Sequence, residues 1–241
     1  MIATYLRRGL VAGLLAGILA GLLGLLVGEP ALDSAVAIEE TRASRDPADA
    51  GALTVVTRPQ QKAGLVVGSA LVGLAVGGLF AIAGAWAVGR LQGDGWLRSL
   101  KLGAVLVAAW VVLPALKYPP GPPGAGDPDT IATRTMLYLG LAFIGLLLAG
   151  GAYAGALQLR ATPLPAPARQ AVVGIGTLMV AAAVLAVLPA AEAAPLPGEL
   201  LWSFRIGSLA TQIMLYGGTA VLFGLLSARD DAMARVSDGS A

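Results

Sequence analysis

The residues of this chain whose types and spacing could do chemistry are acidic. Those singled out fall in a polar segment over 29–61 and at the end of a proline-rich stretch over 113–130; they are Glu29, Asp33, Glu39, Glu40, Asp127 and Asp129. Carboxylate oxygens suit hard divalent cations, and they bind cobalt or nickel less selectively than imidazole does. The pattern predicts cation capture. The alternative is a solvated face on which these acids pair with Lys and Arg.

The proline-rich stretch predicts a rigid connector. Each proline removes an amide donor and restricts the residue before it, so a stiff, extended turn is expected rather than a continuing helix. We expect it to form an outer gate with the start of the last apolar run, held by pairing among Arg134, Glu199 and Arg205. The gate and its supporting residues are Lys117, Tyr118, Pro119, Pro120, Thr130, Arg134, Glu199, Trp202, Arg205, Ser208 and Gln212.

Two residue types are missing altogether. The chain has no cysteine and no histidine, which excludes thiolate metal sites, disulfides and imidazole ligation of haem or transition metals. No nucleophile–base pair is visible either, so the sequence does not predict an enzyme or a tightly bound cofactor. The apolar runs carry no central carboxylate, which counts against a transporter with an acidic site at the membrane midplane.

The composition predicts that membrane-spanning helices hold these residues in position. Hydrophobic residues make up 57% of the 241 residues and charged residues 12%, about half the charged share of a soluble domain. We predict one all-α polytopic membrane domain over 1–241, with an outer loop over 29–61 that includes a short surface helix, and a polar cytoplasmic tail over 228–241. The six predicted membrane spans are 6–28, 63–90, 99–116, 134–158, 170–188 and 202–227.

The ends of these spans predict their orientation. Basic residues such as Arg90, Arg98 and Lys101 fall on one side and the acidic loops on the other, so both termini are expected in the cytoplasm. The net charge of +2 and the lack of a basic run argue against nucleic acid as a partner. A signal peptide is an alternative for the first run, although that run is longer than a signal core.

Two spacings point to close packing. Gly9, Gly13, Gly17 and Gly21 fall four apart, which leaves one face of the first span bare and suits helix–helix contact. Spans two–three and four–five share Leu-Pro-Ala ends and similar inward halves, which is consistent with helical-hairpin repeats. The small-residue face and the lack of a buried charge also suit a structural or assembly subunit that docks other membrane proteins, and this alternative stays open.

Three segments resemble the CbtA family of proposed cobalt transporter subunits. They are Gly28-Glu29-Pro30 with the glycine-rich run before it, Lys117-Tyr118-Pro119-Pro120-Gly121-Pro122-Pro123 with Asp127-Pro128-Asp129-Thr130, and Pro197 to Leu209. The resemblance implies a membrane subunit for cobalt uptake, serving cobalamin synthesis, in a bacterial inner membrane. It also implies a small histidine-bearing partner similar to CbtB, since this chain offers no imidazole. Cobalt is then the transported ion, and the other expected partners are the lipid bilayer and a second copy of the chain.

Overall fold

The computed structural model describes residues 2–43, 57–122, 126–192 and 196–239. Regular structure in these ranges is helical, without a strand. Six helical segments in them are long and apolar enough to cross a membrane: Ile2–Val27, Arg58–Ala87, Gly95–Lys117, Ile131–Ala161, Ala166–Val187 and Gly198–Arg229. The prediction of an all-α chain with six membrane-length helices is confirmed.

The described ranges contain eight α-helices. Their bounds are α1 Ile2–Val27, α2 Glu29–Ala43, α3 Arg58–Ala87, α4 Gly95–Leu106, α5 Leu113–Lys117, α6 Ile131–Gln158, α7 Ala166–Val187 and α8 Gly198–Gly239. A π-helical segment, Val107–Val112, joins α4 to α5. Of the loop predicted over 29–61, α2 occupies the first part and residues 44–56 lie outside the described ranges. The predicted tail over 228–241 begins as a continuation of α8.

The first of two compact units holds α1, α2, α3, most of α4, and α8. The glycine face of α1 packs directly on α3: a Cβ on Gly13 would lie 2.7 Å from Gly77 Cα, and one on Gly21 would lie 2.8 Å from Val66 Cα. Any side chain there would overlap the α3 backbone, so glycine is required for this approach. Because the contacts run in opposite directions along the two helices, α1 and α3 are antiparallel.

Helix α8 packs antiparallel to α1 in the same unit. A Cβ on Gly207 would lie 2.9 Å from the Val27 carbonyl oxygen, whereas Ala16 near the middle of α1 faces Gly218. The buried Ser99 hydroxyl on α4 donates a hydrogen bond to the Ala220 carbonyl on α8. The start of α8, the end of α1 and the start of α3 therefore lie at one end of this unit.

The second unit holds the π segment, α5, α6, α7 and parts of the connectors. Its core is small: Val111 on the π segment and Leu141 and Ala142 on α6 are buried, and a Cβ on Gly145 would lie 2.9 Å from Ala109 Cα. Helix α7 has no buried residue within the described structure. Several of its apolar side chains, among them Ile175, Leu178 and Met179, are exposed and available to lipid or another chain.

Pro114 explains the π segment that precedes α5. In an α-helix the Trp110 carbonyl would accept from the amide four residues later, which is Pro114, and proline has no N–H. The helix instead takes one extra residue into this turn, so that the Leu113 amide donates to the Ala108 carbonyl, five residues back. The Tyr138 hydroxyl on α6 donates to the Trp110 carbonyl at 3.4 Å. Inside a membrane this compensation matters, because lipid offers no alternative donor.

Candidate functional site

Four charged residues on α2 and α3 form the α2–α3 cluster: Glu29, Asp33, Arg58 and Lys62. Each helix contributes two of them one turn apart, so the two acids on α2 face the two cations on α3. Arg58 donates from Nη2 to Glu29 Oε2 at 2.7 Å and also pairs with Asp33. Lys62 Nζ lies 3.5 Å from Glu29 Oε2 and 3.4 Å from Asp33 Oδ2.

Burial differs sharply between the two acids of this cluster. Glu29 is 6% exposed, whereas the Asp33 side chain is half exposed. The hydrogen bond from Arg58 lowers the pKa of Asp33 below its ordinary value, and the nearby Lys62 charge acts in the same direction. The cluster is charge-balanced, so an incoming cation would have to displace Arg58 or Lys62.

A second group, the connector cluster, lies in the second unit and consists of Asp127, Thr130, Arg134 and Glu192. Glu192 Oε1 accepts from the Asp127 backbone amide at 3.0 Å, and Glu192 Oε2 accepts from the Thr130 hydroxyl at 2.7 Å. Arg134 Nε lies 3.5 Å from Glu192 Oε2, an ion pair without hydrogen-bond geometry. The two hydrogen bonds and the Arg134 charge lower the pKa of Glu192.

The connectors are also joined by their backbones. Tyr118 donates from its hydroxyl to the Pro189 carbonyl at 3.1 Å. Arg134 Nη2 donates to the Asp127 carbonyl at 3.1 Å, and the Asp129 amide donates to Asp127 Oδ1 at 2.9 Å. A Cβ on Gly126 would lie 2.9 Å from Arg134 Cζ, so glycine leaves the space that the guanidinium occupies. These contacts hold the two proline-rich turns together.

The remaining predicted gate residues lie on α8 or in the first connector. Glu199 is in the first turn of α8, and Trp202, one turn on, is 66% exposed. Arg205 Nε is buried with no hydrogen-bond partner among the described residues. Gln212 donates to Ser208 at 3.4 Å within the same helix. Lys117, Pro119 and Pro120 are half-buried at the end of α5 and just beyond it.

No group of three or more acidic, histidine or cysteine side chains in the described ranges could hold a metal ion. Glu29 and Asp33 come together on the cations of α3, whereas Asp127 and Asp129 are joined through the Asp129 backbone amide. The side chains of Glu39 and Glu40 lie outside the described structure.

A model of the CbtA family, described as a probable cobalt transporter subunit, matches residues 2–228. The chain belongs to the CbtA family. Comparison with curated proteins and with solved structures gives no match. The family match confirms the resemblance carried by the glycine-rich opening and the Lys117–Thr130 segment. As a CbtA-family chain with six membrane-length helices, it is a multi-pass membrane protein.

Three residues of the α2–α3 cluster and the connector cluster were not singled out from the sequence. Arg58 and Lys62 carry a detectable signal, since they lie four residues apart at the start of a helix and match the spacing of Glu29 and Asp33. Glu192 was not among the acids predicted for the site. Its contact with Asp127, 65 residues away, depends on the path of two connectors and has no sequence periodicity.

Proposed function

We propose that this CbtA-family chain is the membrane subunit of a cobalt uptake system that serves cobalamin synthesis. The observation that carries the proposal is the family match over residues 2–228, whose description names a cobalt transporter subunit. Both termini would lie in the cytoplasm of a bacterial cell, with the acidic connectors outside. A small histidine-bearing subunit similar to CbtB would supply the imidazole ligands that this chain lacks.

Cation capture would begin at the carboxylates of α2. Glu29 and Asp33 are held by two cations, so a divalent ion would bind by displacing Lys62, whose contacts of 3.4 and 3.5 Å are the longer ones. Such an exchange gives weak, reversible binding, which suits collection and transfer. The other acids assigned to this vestibule are Glu39, Glu40, Asp127 and Asp129.

The connector cluster would form the rigid part of the outer gate. Its hydrogen bonds join the turn after α5 to the turn after α7, and prolines stiffen both turns. Arg134 would hold Glu192 in place and keep that carboxylate from binding the passing ion. Glu199, Trp202 and Arg205 are the α8 residues assigned to the same gate.

Replacement of two vestibule carboxylates tests the capture step. Glu29→Gln combined with Glu39→Gln should reduce cobalt accumulation in cells about fivefold, because oxygen sites lose cation affinity as their charge falls. The amide oxygen introduced at position 29 can still accept the bond from Arg58, which favours folding. Cell-associated cobalt would be measured at matched protein levels.

Asp94→Asn provides the matched control for this experiment. It removes a carboxylate from the opposite end of the first unit, and asparagine can still cap α4, where Asp94 accepts from the Leu97 amide at 2.8 Å. Cobalt accumulation that is equal in the double variant and the control would count against capture by these acids.

A structural or assembly subunit is the second candidate, and α7 is the observation that favours it. This helix has no buried residue among those described, and Cβ atoms added to Gly174 or Gly176 would meet nothing within 4 Å. A partner helix could approach closely there. In the first unit, a cavity near Arg98 and Ser227 of about 10 Å³ has room for about one water and does not form a pathway.

A further inference from the structure

The turn between α3 and α4 brings positive charges together at a membrane surface. Both flanking helices have membrane-spanning length, so residues 88–94 must lie where the chain leaves the bilayer. Gly89 and Gly93 have φ of 76° and 117°, values that side chains disfavour, and they make the turn tight. Trp86 and Trp96 flank it, at the headgroup level that tryptophan prefers.

Backbone carbonyls hold two cations of the turn side by side. Arg98 donates to the Gly93 carbonyl, and Lys101 Nζ donates to the adjacent Gln92 carbonyl at 2.7 Å. Within the described ranges no carboxylate forms an ion pair with Arg98 or Lys101. Asp94, the acid of this turn, is used to cap α4. The positive charges of Arg98 and Lys101, held on neighbouring carbonyls, attract an anion to this position.

A third cation, Arg90, lies at the end of an apolar stripe on α3. Leu79, Ile82 and Trp86 recur at helical spacing, so they share one face of α3, and Arg90 follows in the turn beyond the end of α3 at Ala87. The first three are 69%, 63% and 49% exposed. Arg90 Cζ lies 5.1 Å from the centre of the Trp86 ring, and its Nη1 donates to the Trp86 carbonyl at 3.0 Å. The stripe therefore runs from aliphatic through aromatic to cationic, in the order that a phospholipid presents its chains, interface and headgroup.

We propose that this surface, comprising Arg90, Arg98 and Lys101 with the Leu79–Ile82–Trp86 stripe, binds an anionic phospholipid. The headgroup phosphate would contact the cations, and an acyl chain would lie along α3. A soluble phosphate could satisfy the charges but not the apolar stripe. Because α1 is antiparallel to α3, Arg8 lies at the same end and would reinforce the attraction.

The test measures lipid retained by the full-length protein. Wild type would be purified from bilayers containing equal phosphatidylglycerol and phosphatidylcholine, and retained lipids would be counted by native mass spectrometry. We expect phosphatidylglycerol to be enriched, and Arg98→Gln with Lys101→Gln to reduce that enrichment about tenfold. An excess of inorganic phosphate should leave the enrichment unchanged.

The matched control is Arg160→Gln with Arg169→Gln, which removes the same charge from another short connector. There the Arg169 side chain donates to the Arg160 carbonyl at 3.3 Å, without a second cation on the neighbouring carbonyl. The control should keep most of the wild-type enrichment. An equal loss in both variants, no enrichment in wild type, or displacement by inorganic phosphate would each overturn the proposal. Thermal unfolding in pure phosphatidylcholine checks that both variants fold.

Discussion

The α2–α3 cluster and the connector cluster hold carboxylates by different means. In the first, two acids on one helix face two cations on another, and the buried Glu29 depends on side-chain charge for compensation. In the second, Glu192 is held by a backbone amide and a hydroxyl, and Arg134 approaches to 3.5 Å. The first cluster therefore follows from helix periodicity, whereas the second depends on where prolines direct the backbone.

Pro114→Ala should produce the largest structural change. The change should lie in the second unit, next to the connector cluster, and should leave the α2–α3 cluster unaltered. Alanine restores the amide that can donate to the Trp110 carbonyl, so the π segment should return to α-helix. One residue of register is then lost, which rotates α5 by about 100° and should separate Tyr118 from Pro189. Since the chain has no cysteine, spin labels introduced at Leu116 and Val187, which are 70% and 86% exposed, would report this separation without removing the Tyr118 hydroxyl.

Pro59→Ala is the control for this change. Pro59 lies in the first turn of α3, where no intrahelical amide bond is needed, so replacing it should not alter the helix register. Labels at 116 and 187 should keep their wild-type separation in this variant. An unchanged separation in Pro114→Ala would mean that this proline does not determine how α5 is rotated about its axis.

Arg58→Met should destabilise the first unit more than Lys62→Met does. Without Arg58, the buried Glu29 keeps only the 3.5 Å contact with Lys62, so the free energy of unfolding should fall by about 2 kcal/mol, between the values for exposed and buried pairs. Lys62→Met leaves the 2.7 Å bond in place and should cost less than about 1 kcal/mol. Equal effects in thermal unfolding would contradict the unequal roles given to these cations.

The smallest effect should be the pH dependence of the connector cluster. The pKa of Glu192 is lowered from 4.5, so its contribution to stability is present above that pH and is lost as the pH falls through the folded-state value. The difference in Tm between wild type and Glu192→Gln should be constant at neutral pH and shrink at pH below 4.5. A difference that persists undiminished at about pH 2 would show that protonation of Glu192 is not involved.

Much of the fold could be predicted, because composition and spacing determine it locally. The apolar runs predicted six membrane-length helices, and the four-residue glycine spacing of α1 predicted the close packing now seen against α3. The π segment was missed, since a proline near the end of an apolar run was interpreted only as a helix end.

The pairings within the candidate site were harder to predict. Glu29 was recognised as a functional acid, but its partner Arg58 lies 29 residues away along the chain and on another helix. Glu192 likewise meets Thr130 only because two connectors converge. Charge patterns indicate which groups need partners, whereas the backbone path decides which partners they find.

Cobalt uptake into sealed vesicles tests the proposed function most directly. The purified chain would be reconstituted alone and with its histidine-bearing partner, and accumulated cobalt would be followed over time. We predict accumulation that requires this chain and is reduced by Glu29→Gln with Glu39→Gln. Vesicles that accumulate no cobalt with either preparation, while the chain still binds its partner, would contradict the transport account and favour an assembly role.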